Sequence, residues 1–365
     1  VRILVVLALV VGCRANDHDF HAFRVDGIAG ADALWLGGGA VCARTPAGLA
    51  CAGMPNRGTE SAHAAVVAGL GRVTDVAIGI AQACALDDRG VACFWPARPS
   101  PARVKLDAPT QVVLVPDIRT LICALDAAGV ACWRDDLGTD VHREPTVGKP
   151  TRIFAGLGAG GLLCGAYDDG TRCFPETNDA RLGAGIELVG ASAPTAVWAD
   201  TAGGHIYAID GGKALYGEFT GTLHVTGNPF ASNDPLAGTV AFRPFTGATV
   251  KLAPIPKLGA VTALVAWSTH PILLTDAGVT SIDHFSGWDN KPWPTAGRPS
   301  ALFGGPQAFY SIQDGTLHRH RSLNSDADRA VAGVAGAVSG AADLFWACVL
   351  EQDGGVACVL EPRER

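Results

Sequence analysis

Short apolar runs alternate with clusters of Asp, Gly and Pro along most of the chain. One stretch shows the scheme: "RVTDVAIG" (72–79), "AQACALD" (81–87), a turn, "GVACFW" (90–95) and "ARVKLD" (102–107). Apolar and polar positions alternate, β-branched residues recur, and Asp and Gly mark the bends. That pattern predicts four short strands joined by hairpins. Helical periodicity is absent, which excludes helical solenoids.

The turn recurs. "CALDDRGVAC" (84–93) and "CALDAAGVAC" (123–132) are nearly one phrase. Cysteine-bracketed turns fall at Gly48, Gly90, Gly129, Gly170 and Gly354–Gly355. Similar turns without cysteine fall at Gly203–Gly204 in "WADTAGGHIY", at Gly278 and at Gly315. Eight units result, most of them 34–42 residues apart. Four short strands at such a period describe one blade of a propeller. The expected fold is all-β: a β-propeller of short four-stranded blades, seven or eight in number, formed by residues 14–365. The region 205–300 is irregular. It holds either a ninth, degenerate unit ("TVAFRPFTGATVKLA", 239–253) or one blade with a large insertion.

The chain has 11 cysteines. Apart from Cys13 they fall in five pairs: Cys42 with Cys51, Cys84 with Cys93, Cys123 with Cys132, Cys164 with Cys173, and Cys348 with Cys358. Residues directly opposed across a hairpin bring their Cβ atoms to about 4.5–5.5 Å, close to disulfide reach. Five disulfides within units are therefore expected. Units without cysteine lose both positions together: counting from the turn glycine gives Ile272 with Ser281 and Phe309 with His318. Structural zinc wants closer pairs of the C-x₂₋₄-C kind, so no metal is expected here. The last unit has no counterpart of "ARVKLD", whereas "FHAFRV" (20–25) has no unit of its own. It is expected to close the ring beside the last blade.

The repeats resemble those of the regulator-of-chromosome-condensation family, in its exported bacterial variant. "CALDAAGVACW" (123–133) and "CALDDRGVACFW" (84–95) carry the likeness. It implies a β-propeller, commonly of seven blades, and a role in protein–protein interaction.

The N-terminus adds a compartment. Arg2 precedes an apolar run, Ile3 to Val11, with the shape of a signal-peptide core, ending in "LVVGC". This resembles a bacterial lipobox. Residues 1–13 are expected to be a lipoprotein signal with Cys13 the lipidated residue, which places the protein outside the cytoplasm on the envelope. An oxidising compartment agrees with disulfides. The net charge of −7, with 48% hydrophobic and 17% charged residues, describes a globular chain and argues against nucleic acid as a partner.

Candidate chemistry is sparse. "GLGAGG" (156–161) matches a dinucleotide fingerprint, but a strand and not a helix is expected to follow. "HRHR" (318–321) puts His318 and His320 on one strand face; a polar strand surface explains them without a metal. "NSDADR" (324–329) lacks the glycine and the final acid of a calcium loop. Paired acids such as Asp87 and Asp88 read as turn chemistry. Trp95 and Trp133 read as blade-packing residues. Trp288 and Trp293, in "FSGWDNKPWPTAG" (285–297), are the candidate partner-binding aromatics. No catalytic set and no cofactor are expected. The reading is a monomeric binding module for an unknown protein or a cell-wall glycan, membrane-associated only through lipid. A propeller lyase or glycosidase with a central-channel site is the alternative, as is a scaffold subunit of a surface assembly.

Overall fold

Each unit forms one four-stranded antiparallel sheet in a computed structural model. It describes residues 22–53, 62–95, 98–115, 121–134, 140–158, 161–177, 181–200, 204–218, 248–267, 270–283, 289–295, 297–304, 308–320, 328–343 and 346–360. Numbered along the chain, blade 1 runs from Ala33–Gly37 to Ala65–Val66, blade 2 from Val73–Ile78 to Arg98–Arg103, and blade 3 from Gln111–Val115 to His142–Arg143. Blade 4 runs from Arg152–Gly158 to Ile186–Val189, blade 5 from Ala196–Asp200 to Ala253–Pro254, blade 6 from Val261–Trp267 to Asp289–Pro292, and blade 7 from Pro299–Gly304 to Arg329–Ala330. Blade 8 is Ala337–Ala342, Trp346–Glu351 and Val356–Leu360, completed by Phe23–Asp26. The fold is an eight-bladed β-propeller, so the count of eight holds and the family-derived seven does not.

The first strands of neighbouring blades touch around the whole ring, blade 8 meeting blade 1. The core is correspondingly divided into eight apolar layers, one at each blade boundary. Both faces of each sheet are covered, so the middle strands are apolar at consecutive positions: all six residues of Leu121–Asp126 are buried. Polar side chains of the inner strands tie blade to blade. The Asp75 carboxylate accepts the Val76 N–H at 2.9 Å, and the Trp35 indole and the Val112 N–H also donate to it. Gln111 Oε1 accepts the Ile153 N–H at 2.7 Å, and Arg152 donates to the Pro194 carbonyl.

Ring closure follows the expectation. Phe23 pairs with Cys358 and Arg24 with Ala357. Phe23 packs edge-on against Trp346, with ring centroids 5.7 Å apart, and Arg24 forms ion pairs with Glu351 and Asp353. Deleting residues 1–26 exposes the Val356–Leu360 edge. The truncated protein is expected to melt several degrees lower and to aggregate; an unchanged melting temperature would contradict this closure.

All five cysteine pairs are joined as disulfides within their own blades. Cys42 bonds to Cys51, Cys84 to Cys93, Cys123 to Cys132, Cys164 to Cys173 and Cys348 to Cys358, with Cα–Cα distances of 3.9–4.1 Å. Each pair is directly opposed in the ladder between second and third strands: Cys51 faces Cys42, Cys132 faces Cys123 and Cys173 faces Cys164. In the last pair a three-residue loop, Gln352 to Gly354, replaces the two-residue turn, and Gly354 takes the left-handed conformation at φ 76°.

The sheets decide three sequence expectations. First, of the two readings of 205–300, the described residues fit one blade with a large insertion and form no ninth sheet. Within 239–253, Thr249–Lys251 pairs in parallel with Ile186–Val189 of blade 4, and Ala253–Pro254 is the outer strand of blade 5. Residues 248–252 are thus the described part of the chain between the third and fourth strands of blade 5. Ala62–His63 repeats the device opposite, pairing in parallel with Phe23–Asp26 before blade 1 receives its own outer strand. Gly190 lies where the chain crosses: at φ 102° an added Cβ would stand 2.7 Å from the Leu252 carbonyl oxygen. Second, the hairpin turn of blade 5 is Gly211–Gly212, since Asp210 pairs with Lys213; Gly204 precedes the second strand, and Gly203 lies outside the described residues. Third, Ile272 does face Ser281, but His318 faces Ser311 and Phe309 faces His320. In blade 7 the glycine is the second turn residue, whereas in blades 2 and 6 it opens the third strand. A one-residue shift of the glycine moves the facing pair by two.

Candidate interaction face

The ring has two unlike ends. At one lie the turns between second and third strands and the connections from each blade to the next. In five of the eight blades the residue before the turn accepts a backbone N–H from the connection entering that blade; blades 1, 4 and 6 have Thr45, Tyr167 and Thr275 at that position. The Asp87 side chain is fully buried and accepts the Gly71 N–H at 2.6 Å, the Arg89 N–H at 2.9 Å and a fork from Arg103 at 2.5 and 2.7 Å. Asp126 repeats this with the Asp107 and Ala128 N–H groups, both at 2.9 Å, and with Arg143 at 2.6 and 2.8 Å. Asp210 accepts the Ser192 N–H, Gln313 the Gly297 N–H and Glu351 the Ala335 N–H. Burial alone would raise the Asp87 pKa, but the Arg103 fork and the backbone donors outweigh it and hold it at about 2. Asp126 is lowered by the same balance. The sequence reading took Asp87 for turn chemistry and did not single out Asp126. Their recurrence three residues before the turn glycine (Asp87–Gly90, Asp126–Gly129), each with an arginine in the outer strand, was the available signal.

The opposite end carries the connections between first and second strands and between third and fourth. Their lengths differ widely: the third-to-fourth connection is residues 96–97 in blade 2 and 219–252 in blade 5. The strand position two residues beyond the second half-cystine reaches this end. It is Gly53, Trp95, Arg134, Pro175 and Leu360 in the stapled blades, and Glu218 at the equivalent place in blade 5. Chemistry there varies from blade to blade, while the opposite end repeats. Trp95 is 41% exposed, and Ile80, in the neighbouring connection of the same blade, is 59% exposed. Trp133 is fully buried. The blade-packing reading thus holds for Trp133 and is corrected for Trp95. "CFW" carries one residue more than "CW", so Phe94 takes the buried position and Trp95 turns outward.

The aromatics chosen from sequence are placed otherwise. Trp288 lies outside the described residues. Trp293 is 4% exposed, packed edge-on against Phe309 at 4.8 Å in the layer between blades 6 and 7. It is a core residue, because it continues the outer strand Asp289–Pro292 onto the face that blade 7 covers. Cys13 also lies outside the described residues.

The other candidates resolve into structure. His318 pairs with Asp328; His320 stacks on Phe309 and shares a 2.8 Å hydrogen bond with Ser311. The Ser311–His320 pair is wholly buried in the closed ring. Among the described residues no group of three or more His, Cys, Asp or Glu is placed to hold a metal ion. Gly156 sits in a strand and the next element is the strand Leu162–Tyr167, so "GLGAGG" opens no helix. In the channel wall Asp75 is pushed above the usual carboxylate range by burial. At the connection end of blade 5 the Tyr216 hydroxyl donates to Glu218 at 2.6 Å and meets His205 Nδ1 at 2.9 Å; burial, then the Glu218 carboxylate, raise its pKa.

No protein-family model matches the chain, and no curated protein does. Among solved structures it is similar to human WBSCR16 at 12% identity and a TM-score of 0.49, over 85% of this chain and 93% of that one. It is similar to PorZ, an essential bacterial surface component of the type-IX secretion system of Porphyromonas gingivalis, at 11% identity and a TM-score of 0.49, over 81% of this chain and 39% of that one. It is also similar to RCC1 (Prp20p) of Saccharomyces cerevisiae, at 12% identity and a TM-score of 0.42, over 91% of this chain and 82% of that one. These likenesses are of overall shape; the interaction face rests on its own residues.

Proposed function

We propose that the protein is an exported propeller, lipid-anchored through Cys13, that binds a protein partner at the connection end of the ring. The observation that carries this is the asymmetry of the two ends. One is tied in five of eight blades by an acid or amide before the turn; the other varies in connection length and rim chemistry, and exposes Trp95 and Ile80. Variable loops on a rigid scaffold suit recognition, and an exposed tryptophan at the same end as an exposed aliphatic side chain suits an interface anchor. Five disulfides suit maturation in an oxidising compartment.

The test is affinity capture from the native envelope. Trp95→Ser combined with Ile80→Ser is expected to lose the captured partner, while Val338→Ser, at the opposite mouth of the channel, keeps it. Loss with Val338→Ser alone would place the site at the other end. Cys13→Ser is expected to release the protein from the membrane fraction; unchanged fractionation would remove the anchor from the proposal.

A further inference from the structure

The five disulfides are not spread evenly. They occupy blades 8, 1, 2, 3 and 4, which are consecutive around the ring and include the blade where the two ends of the described chain meet. Blades 5, 6 and 7 are consecutive too. At the position of the half-cystines they have Tyr207 facing Tyr216, Ile272 facing Ser281 and Tyr310 facing Arg319. A second observation falls on the same three blades. Of the fifteen buried polar or charged residues among those described, nine are there: one in blade 5, three in blade 6 and five in blade 7. The stapled blades share the other six, among them the latch acids Asp87, Asp126 and Glu351.

We propose that the ring consists of two modules, a stapled arc and an arc of blades 5 to 7 that opens locally while the stapled arc and the closure stay shut. Cross-links remove chain entropy from the opened state of blades 8 and 1 to 4 and not from that of blades 5 to 7. Buried Ser311, His320 and Arg319 are solvated when their blade opens, whereas an apolar layer loses on exposure. Blades 5 to 7 remain tethered on both sides, so opening neither releases an end nor breaks the closure.

Hydrogen exchange on the oxidised, full-length protein reads this directly. Amides in His205–Glu218, His270–Asp283 and Phe309–His320 are expected to exchange at least about tenfold faster than those in Ala83–Trp95 and Leu121–Arg134. Equal or slower exchange overturns the proposal. Ile272→Cys with Ser281→Cys adds a disulfide at the register of the native ones. It is expected to slow exchange in blade 6 by about tenfold or more and to leave blades 2 and 3 unchanged. A formed bond with unchanged blade 6 exchange overturns the proposal as well; if the bond does not form, the first comparison still decides.

Discussion

Asp87→Ala is expected to destabilise the protein by about 2 kcal/mol, since two backbone N–H groups lose their acceptor while the partly exposed Arg103 is screened by solvent. Arg103 and the Gly71 and Arg89 N–H groups would all lose their acceptor. Asp87→Asn keeps the shape and removes the charge, and after discounting for solvent screening at the part-exposed Arg103 is expected to cost about 1 kcal/mol at pH 7. The pH dependence has a definite sign. The folded pKa, about 2, lies below the ordinary carboxylate value of 3.8. The charge therefore contributes its full stability above about pH 4, and that contribution fades as pH falls towards 2. Urea denaturation at a series of pH values should show wild type and Asp87→Asn converging across that window. Parallel curves would mean that Asp87 does not lock the turn end.

Removing one disulfide, as in Cys84→Ala with Cys93→Ala, is expected to cost about 2–3 kcal/mol, the loop-closure entropy of a short ring. All ten half-cystines are at most 3% exposed. Reductant alone is therefore expected to leave the native protein oxidised, because a thiolate has no path to the sulfur. With denaturant present, all five should reduce and the ring should not refold until reoxidised. Thiol counting with and without urea checks this; rapid reduction in native buffer would contradict the buried placement.

The repeat and the disulfide register were legible in the sequence because each is a local signal repeated along one chain, and the closing strand followed from the fourth strand that the last unit lacks. Cys84 and Cys93 flank a turn of fixed length, and near-copies of that turn ending at Cys51, Cys132 and Cys173 fix the register. Where copies differ by a residue, the reading slipped. Gly315 stands one place earlier relative to its strand than Gly278 does, which misplaced His318. The extra residue in "CFW" flipped Trp95 to the outside. Side chains alternate along a strand, so a single-residue offset exchanges buried for exposed. Trp293 was misread for another reason. Its surroundings in sequence are polar and rich in Pro and Gly, but its burial comes from blade 7, which no local pattern encodes. The acid latch was missed because Asp87 near a turn already had a sufficient local explanation, while its partners Gly71 and Arg103 lie 16 residues away on either side.

Photo-crosslinking in the native envelope tests the interaction face most directly. A benzophenone side chain placed at Trp95 or Ile80 is expected to yield a discrete protein adduct, and the same group at Val338 none. Adducts from Val338 and none from positions 80 and 95 would contradict recognition at the connection end.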